Sequence, residues 1–357
     1  MLLQPRQEHF GLDISDRSLK AVQFKPTLAG KLELVALSAK ELEAGVINEG
    51  EIKQAEPLVR AITELITKPT LGKFTTSYAV VSLPESKSFI KVIDIPPMSE
   101  EEIPQAVKWE AEHHIPIPID ETYWDWQQVA QATAANARLP ILLGVVPRAI
   151  VDSYNAVLSQ ARLVPIAMEI EAVAIGRSLL PPNPNPEEAI MIIDIGATQT
   201  SLVVADHGTI QFTVSLPISG RKITETIATT LNLNEGQAEK AKIVCGLDPK
   251  KCHGAMGQIL YQVMDELIRR IGEAMVFYRE HFPNGHKLNQ IILCGGGANF
   301  KFIDQHLADK LSLTVRRGNP WYNVEPSPAP LKPNELISYT TAIGLALRNV
   351  SLNNNHD

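Results

Sequence analysis

The chain has 357 residues, which is too long for one compact core of ordinary size and favours two lobes. Hydrophobic residues make up 45% of it and charged residues 20%, a composition that excludes a generally disordered protein. The formal net charge is −7 and no stripe of Lys and Arg is concentrated anywhere, so nucleic acid is a poor candidate for a partner.

The first 84 residues have the pattern of an α/β unit. Short apolar segments predict strands at 10–14, 19–24, 31–37 and 78–83. Apolar residues at helical spacing predict a helix over 51–67. The turn 15–18 separates the first two strands, which we therefore expect to form a hairpin.

A separate block follows Pro84. Its pattern predicts a strand at 88–95, a helix from about 99 to 115, and strands at 122–130 and 139–146. Ser99 and Glu102 have the spacing of a capping box for that helix. Strand, helix, strand, strand is a self-contained unit, so we expect an inserted subdomain. Beyond Pro147 the pattern predicts a helix, a strand and a helix at 149–162, 164–170 and 172–180.

The sequence PPNPNPEE at 181–188 is the clearest linker, and beyond it the opening pattern returns. Strands are predicted at 190–195, 201–205, 209–216 and 290–294, and helices at 220–231, 234–244, 257–282 and 335–349. Both halves open with strand, aspartate, turn and strand. This internal repeat predicts a duplicated lobe.

Each half carries an aspartate where its first strand ends in a hairpin, Asp13 in DISDRSLKAVQF and Asp194 in DIGATQTSLVV. Backbone N–H groups and small hydroxyls of such a turn can surround phosphate oxygens, and the carboxylate can hold Mg²⁺ through water. The turns themselves indicate Asp13, Ser15, Asp194, Gly196, Thr198 and Thr200 as candidate cofactor-binding residues. One such hairpin is most often a plain strand turn, and the matched pair is what favours a nucleotide site.

A turn of three glycines, 295–297, follows the predicted strand 290–294. The order of two hairpins and then this glycine turn resembles the actin, Hsp70 and sugar-kinase superfamily, whose two phosphate loops and adenosine loop hold ATP between lobes. The resemblance implies an α/β, actin-like (ribonuclease H-like) duplicated two-lobed fold with a small inserted subdomain. It assigns Ser18 to the first phosphate loop, adds Lys20 as a cofactor-binding candidate beside the phosphates, and implies metal binding by Asp13, Glu171 and Asp194. It assigns the adenosine loop to Gly295, Gly296, Gly297, Ala298 and Asn299, and contacts near the ribose and base to Glu239 and Lys242. MEIEAVAIGRSL resembles the first helix that connects the lobes, and LISYTTAIGLAL resembles the second, whose small residues let the two helices cross closely.

One stretch narrows the resemblance. VKWEAEHHIPIPIDETYWDWQ, at 107–127, resembles the helix and loop of the type IV pilus assembly protein PilM family, as do GLDISDRSLKAVQF and MEIEAVAIGR. The resemblance covers about residues 8–350. It implies a cytoplasmic, actin-like adaptor that holds ATP and Mg²⁺ and binds the N-terminal cytoplasmic peptide of a PilN-like inner-membrane protein. One wall of the peptide groove would come from about residues 86–146.

The same resemblance implies a division of the chain and a location. We expect a first lobe at 8–84 and 147–185, an inserted subdomain at 85–146, a second-lobe core at 186–220 and 287–334, a helical subdomain at 221–286 and a returning helix at 335–350. Apolar runs are shorter than the roughly 20 residues needed to cross a bilayer. The chain would therefore reach the inner membrane only through its partner. Other pilus assembly proteins are further candidate partners, and homo-oligomers stay open.

Some residues depart from the family pattern. Ser15 stands where PilM relatives usually have glycine, and Asp16 adds a negative charge beside the supposed phosphates. These changes bear on the affinity for Mg-ATP and on hydrolysis, which we expect to be weak or absent. Cys245, Cys252 and His253 fit no common zinc spacing, so reduced thiols are the simpler interpretation.

Two rival functions belong to the same fold. The chain could be an active ATPase or small-molecule kinase, although no separate substrate signature or catalytic base is apparent. It could also be a filament-forming division protein like FtsA. The polar tail SLNNNHD is unlike the amphipathic membrane helix with which FtsA ends, and this counts against the second rival.

Overall fold

A computed structural model describes residues 8–27, 32–99, 101–115, 117–129, 138–181, 187–248, 250–251, 254–324 and 330–348. The elements of the first half are β1 (Phe10–Ile14), β2 (Ser18–Pro26), β3 (Leu32–Glu41), β4 (Ile47–Asn48), β5 (Glu51–Ile52), α1 (Ala55–Thr67), β6 (Leu71–Gly72), β7 (Tyr78–Leu83), β8 (Phe89–Ile95), α2 (Ile103–His114), β9 (Thr122–Gln128), β10 (Leu139–Pro147), α3 (Arg148–Gln160), β11 (Val164–Ile170) and α4 (Glu171–Leu179). Those of the second half are β12 (Ala189–Ile195), β13 (Thr200–Asp206), β14 (Thr209–Leu216), α5 (Gly220–Leu231), α6 (Glu235–Cys245), α7 (Gly254–His281), β15 (Leu288–Cys294), α8 (Ile303–Leu311), β16 (Thr314–Arg317), α9 (Pro333–Leu336) and α10 (Thr340–Ala346).

Two sheets with the same strand logic form the duplicated fold. The first has the order β11-β7-β1-β2-β3-β6, and the second contains β16-β15-β12-β13-β14. In each sheet the first three strands are antiparallel, while the fourth major strand pairs parallel with the first and the fifth pairs parallel with the fourth. The repeat predicted from the two Asp-tipped hairpins is thus present in the topology, and the actin-like fold class is confirmed.

The inserted unit has the predicted order of strand, helix, strand and strand. Its strands β8, β10 and β9 form an antiparallel ribbon, and Ile95, Val107 and Ile141 are among the residues of its own buried core. The ribbon continues the second sheet, because β8 pairs antiparallel with β14 at Lys91 and Phe212. A unit inserted in the first half is therefore hydrogen-bonded to the second half.

The two connecting helices, α4 and α10, approach each other closely at Gly344. A Cβ on Gly344 in α10 would overlap the carbonyl oxygen of Ala174 in α4, and a Cβ on Gly11 in β1 would overlap the carbonyl oxygen of Ala342. Only small residues allow this approach, as the sequence predicted for LISYTTAIGLAL.

Several element boundaries differ from the predictions, among them those of three helices. The helix predicted over 51–67 begins at Ala55, because Glu51–Ile52 pairs with Ile47–Asn48 as a small ladder. The helix predicted to start near Ser99 begins at Ile103, although Glu102 does accept hydrogen bonds from the Ser99 N–H and hydroxyl, at 3.0 and 2.9 Å. The helix predicted over 335–349 is divided into α9, a 3₁₀ turn at Ile337–Tyr339, and α10.

Candidate functional site

The two Asp-tipped hairpins meet in one cleft between the halves. Asp13 at the end of β1, Asp194 near the end of β12 and Glu171 at the first position of α4 all line the same cavity. Three carboxyl groups thus converge from three different elements. Carboxylate oxygens are the ligands that Mg²⁺ prefers, so the donor set fits this ion.

The first hairpin is closed by its own serines. The Ser15 N–H and hydroxyl both donate to the Ser18 carbonyl oxygen at 3.0 Å, and Lys20 Nζ donates to the Ser18 hydroxyl at 2.9 Å. Lys20 Nζ also lies 4.0 Å from an oxygen of Asp13. Ser15, Ser18 and Lys20 line the cavity together with Arg17. A serine in the position usual for glycine is therefore accommodated, and two cations border the cleft.

The carboxylate of Asp16 is held by the backbone of the β4–β5 turn. It accepts hydrogen bonds from the Glu49 N–H at 2.8 Å and the Gly50 N–H at 2.9 Å, and the Gly50 carbonyl in turn accepts from the Tyr154 hydroxyl at 3.1 Å. Asp16 borders the cavity, but its carboxylate oxygens are hydrogen-bonded to this turn and hold it in place. This is a structural reason for an acid at the position that the sequence marked as a departure.

The second hairpin presents small residues to the cleft. Gly196 and Thr198 line the cavity, and the Gly196 N–H donates to the Gln199 carbonyl at 2.9 Å to close the turn. Thr200 lies outside the lining. Its side chain is fully buried at the start of β13, and its hydroxyl donates a hydrogen bond to the Ile218 carbonyl at 2.7 Å. The hydroxyl that the sequence assigned to a phosphate contact is therefore already bonded within the protein.

The glycine turn closes the third side of the cleft. Gly295 and Gly296 line the cavity. Gly295 has φ +75°, and a Cβ there would overlap Asp194 Oδ1, so two independent constraints require glycine. No heavy atom lies within 4 Å of a Cβ placed on Gly296. This position offers open space against which a flat ring could pack.

The rest of the predicted adenosine loop is directed into the protein. A Cβ on Gly297 would overlap the Ile195 side chain, Ala298 is fully buried, and the Asn299 amide donates to the Asn334 carbonyl at 2.7 Å. Residues 296–299 form a 3₁₀ turn rather than an open loop. These three residues support the turn from behind and do not border the cavity.

Glu239 and Lys242 lie one layer away from the second hairpin. Lys242 Nζ donates to the Gly220 carbonyl at 2.9 Å and the Thr224 hydroxyl at 2.8 Å, and it lies 2.7 Å from Glu239 Oε2. The Gly220 N–H donates to the Gly196 carbonyl at 3.1 Å. The pair therefore braces the helix start that contacts the hairpin, and neither side chain borders the described cavity.

Burial and mutual repulsion perturb the cleft acids. Burial first, and then the charge of Asp13, raise the pKa of Asp194 to about 6. Burial likewise raises the pKa of Asp13, with Lys20 acting in the opposite direction. The pKa of Glu171 is raised well above its usual value by burial and by the charges of Asp13 and Asp194. Such a cluster favours a bound cation, which would offset the repulsion.

Sequence reasoning missed Glu85, which follows β7. Burial raises its pKa to about 7, with the charge of Asp194 also raising it, against hydrogen bonds from Thr213 and from the Ala172 N–H at 3.2 Å. Glu85 thus links the start of the insert, the start of α4 and strand β14. An acid after a strand normally indicates surface, so no local signal could have marked it.

Comparisons with known proteins decide the family. The family model for the type IV pilus assembly protein PilM matches residues 11–350. The chain belongs to the PilM family. The solved structure of a PilM-PilN type IV pilus biogenesis complex is similar over 97% of this chain and all of that chain, with 26% identity and a TM-score of 0.81. The resemblance stated from VKWEAEHHIPIPIDETYWDWQ is confirmed.

More distant structures share the fold alone. The ethanolamine utilization protein EutJ from Carboxydothermus hydrogenoformans aligns with 96% of this PilM-family chain and 90% of its own, at 16% identity and a TM-score of 0.54. MreB 5 of Spiroplasma citri, in a structure bound to AMPPNP, aligns with 96% of this chain and 95% of its own, at 13% identity and the same TM-score.

Two further expectations concern other regions of the PilM-family chain. Cys252 and His253, considered with Cys245 as metal ligands, lie outside the described residues. Within the described ranges, no helix combines the length and apolarity that a bilayer crossing requires.

Proposed function

We propose that the cleft binds ATP with Mg²⁺. The observation that carries this proposal is the convergence of Asp13, Asp194 and Glu171 on one cavity that Gly295 also borders. Asp13, Glu171 and Asp194 would hold the metal ion, directly or through water. Bound Mg²⁺ would neutralise phosphate charge and the repulsion among these acids.

The hairpins and the glycine turn would divide the nucleotide between them. Backbone N–H groups of both turns, with Lys20 and Arg17 from the first, would contact phosphate oxygens. The open face of Gly296 would accept the flat adenosine. Thr198 supplies a hydroxyl from the second hairpin, while Glu239 and Lys242 would support the site through helix α5.

We further propose that the chain is a cytoplasmic adaptor that binds an N-terminal peptide of a PilN-like inner-membrane protein and reaches the membrane through it. The support is membership of the PilM family and the likeness to a PilM-PilN complex. An extended peptide can bind a soluble protein through a few side chains and backbone hydrogen bonds.

The junction between the insert and the first lobe supplies a candidate groove. Tyr123 of β9 is partly exposed, its hydroxyl donates to Asp152 at 3.2 Å, and the Arg148 guanidinium lies 4.5 Å from its ring centroid. The Arg148 Nε also donates to the Asp120 carbonyl at 3.0 Å. An aromatic ring and a cation at such a junction are typical of residues that dominate binding.

Nucleotide would influence this groove through the strand that joins the insert to the second half. The insert leaves the first lobe after Pro84, yet its strand β8 pairs with β14 at Lys91 and Phe212. A change in the angle between the halves must therefore move or strain the insert. A nucleotide that binds two lobe arrangements with different affinity would shift the groove between them.

Two measurements test the proposal. The purified protein is denatured and any released nucleotide is identified, and binding of a fluorescent PilN-like N-terminal peptide is followed by anisotropy with and without Mg-ATP. Tyr123→Ala is expected to weaken peptide binding at least tenfold, and Tyr322→Ala, which also removes an exposed tyrosine, is expected to have no effect. If no nucleotide is released on denaturation and none binds when added, the chain is a nucleotide-free scaffold and the proposal of ATP binding is wrong.

One observation favours hydrolysis as a second function. Glu171 lines the same cavity as Asp13 and Asp194, and from there its carboxylate would orient an attacking water molecule or accept its proton. Multiple-turnover phosphate release that is lost in Glu171→Gln would support an active ATPase.

A further inference from the structure

A second set of ligating side chains lies at the far end of the second sheet. Asp206 is the last residue of β13, His207 follows it in the β13–β14 turn, and His286 lies just before β15. The seven residues of β13 separate this set from the start of the strand beside the second hairpin, a length of about 20 Å. The cluster is therefore distinct from the cleft.

One ligating atom from each of these three residues lies within 4.8 Å of the other two. His207 Nε2 is 3.5 Å from Asp206 Oδ2, and His286 Nδ1 is 2.8 Å from Asp206 Oδ1. The two imidazole rings have their centroids 4.4 Å apart. Two ligands at about 2.0–2.1 Å from a tetrahedral ion lie about 3.4 Å from each other, so only small side-chain shifts separate this arrangement from a coordination shell.

The carboxylate is oriented before any cation arrives. Asp206 is 3% exposed, and it accepts hydrogen bonds from the Tyr278 hydroxyl and from the N–H groups of His286 at 2.9 Å and His207 at 2.7 Å. An oriented carboxylate thus lies beside two imidazoles that are partly exposed.

We propose that Asp206, His207 and His286 form a binding site for Zn²⁺. Two imidazoles and one carboxylate are ligands that suit zinc, with water completing a tetrahedral shell. The ion would take the position of the proton that His286 Nδ1 shares with Asp206 Oδ1, and that imidazole would keep its proton on Nε2. The bound ion would link the β13–β14 turn to the segment that joins α7 to β15. Its role would be structural and separate from the nucleotide cleft.

Zinc binding to the full chain tests this site after removal of bound metal with a chelator. With Mg²⁺ in excess to occupy the cleft, titration against a chromophoric zinc chelator is expected to show one Zn²⁺ per chain and a rise in the melting temperature. His207→Asn removes the imidazole while keeping a residue that tolerates the φ of +51° at this position. We expect this variant to bind zinc at least about tenfold more weakly and to lose the rise in melting temperature.

His281→Asn is the matched control, because His281 is the exposed last residue of α7 and belongs to no such cluster among the described residues. It should bind zinc like the parent chain. His286→Gln provides a second loss variant that does not depend on the turn. The proposal is overturned if the parent chain binds no stoichiometric zinc, or if both His207→Asn and His286→Gln bind it as tightly as the parent.

Discussion

Replacing Asp194 with asparagine should make the protein more stable while it weakens the binding of Mg-ATP. The Asp194 carboxyl is buried beside Asp13 and accepts a hydrogen bond from the Cys294 thiol. Burial first, and then the charge of Asp13, raise its pKa from 3.8 to about 6. Asparagine keeps the shape and the acceptor oxygen but never carries the charge.

The magnitude and its pH dependence follow from the two pKa values. A difference of about two pKa units corresponds to about 3 kcal/mol of unfolding free energy. Between pH 4 and 6 the unfolded chain has released the Asp194 proton while the folded chain retains it, so this residue lowers stability progressively as pH rises. The full cost is present above about pH 7. Asp194→Asn should therefore be more stable than the parent by up to about 3 kcal/mol at pH 8, and by little at pH 4.

Thermal unfolding of both proteins in EDTA, at pH 4 and pH 8, measures this difference. At roughly 2–4 °C per kcal/mol for a unit of 150–250 residues, the variant should melt up to about 10 °C higher at pH 8. Asp206→Asn is a control of opposite sign, because hydrogen bonds lower the pKa of that acid despite its burial. The reasoning is refuted if Asp194→Asn is no more stable at pH 8, or if its effect is the same at both pH values.

The other predictions concern single contacts. Gly295→Ala should weaken ATP binding at least tenfold in a fluorescent-nucleotide titration, because the new Cβ overlaps Asp194 Oδ1 at a backbone conformation, φ +75° and ψ 174°, that costs an alanine about 1–3 kcal/mol; unchanged affinity would count against the turn as part of the site. Lys20→Ala should raise the Kd for ATP by about 10–100-fold, because one charge-assisted hydrogen bond is lost, and the increase should be smaller at high salt. An increase no larger than that caused by replacing a surface lysine would exclude the contact. Gly344→Ala should lower the free energy of unfolding by about 1–3 kcal/mol in a urea titration, because α10 must move away from Ala174; a neutral result would contradict the close helix crossing.

The features that sequence predicted well are local or repeated. The hairpins that carry Asp13 and Asp194 each have a short apolar strand on either side of a turn. That pattern can be recognised from the sequence without tertiary information. Their recurrence then implied the duplicated topology. Gly295 was identified by its place after a buried strand, and the structure adds the reason, since its missing side chain leaves room for Asp194.

The features that sequence missed depend on long-range contacts. Thr200 was assigned to phosphate, but it is the first residue of β13 and its hydroxyl meets the Ile218 carbonyl from the end of the next strand. Glu85 was not singled out in the sequence, and its burial follows from contacts with Ala172 and Thr213 that are distant along the chain. Apolar spacing around Tyr339 indicated a helix but not the 3₁₀ turn that divides it.

The pairing of β8 with β14 is a further example. The insert reads in sequence as a self-contained unit, and its core is indeed its own. Only the sheet register shows that Lys91 meets Phe212 of the other half. This contact makes the insert a link between the lobes as well as an appendage of the first.

Calorimetric titration of ATP into the purified chain, with and without Mg²⁺, tests the central claim most directly. If Asp13, Glu171 and Asp194 hold a metal ion against a triphosphate, one ATP should bind per chain, with affinity that rises when Mg²⁺ is added and falls sharply in Asp194→Asn. Binding of equal strength in EDTA and in the variant, or no binding to the nucleotide-free chain, would contradict it.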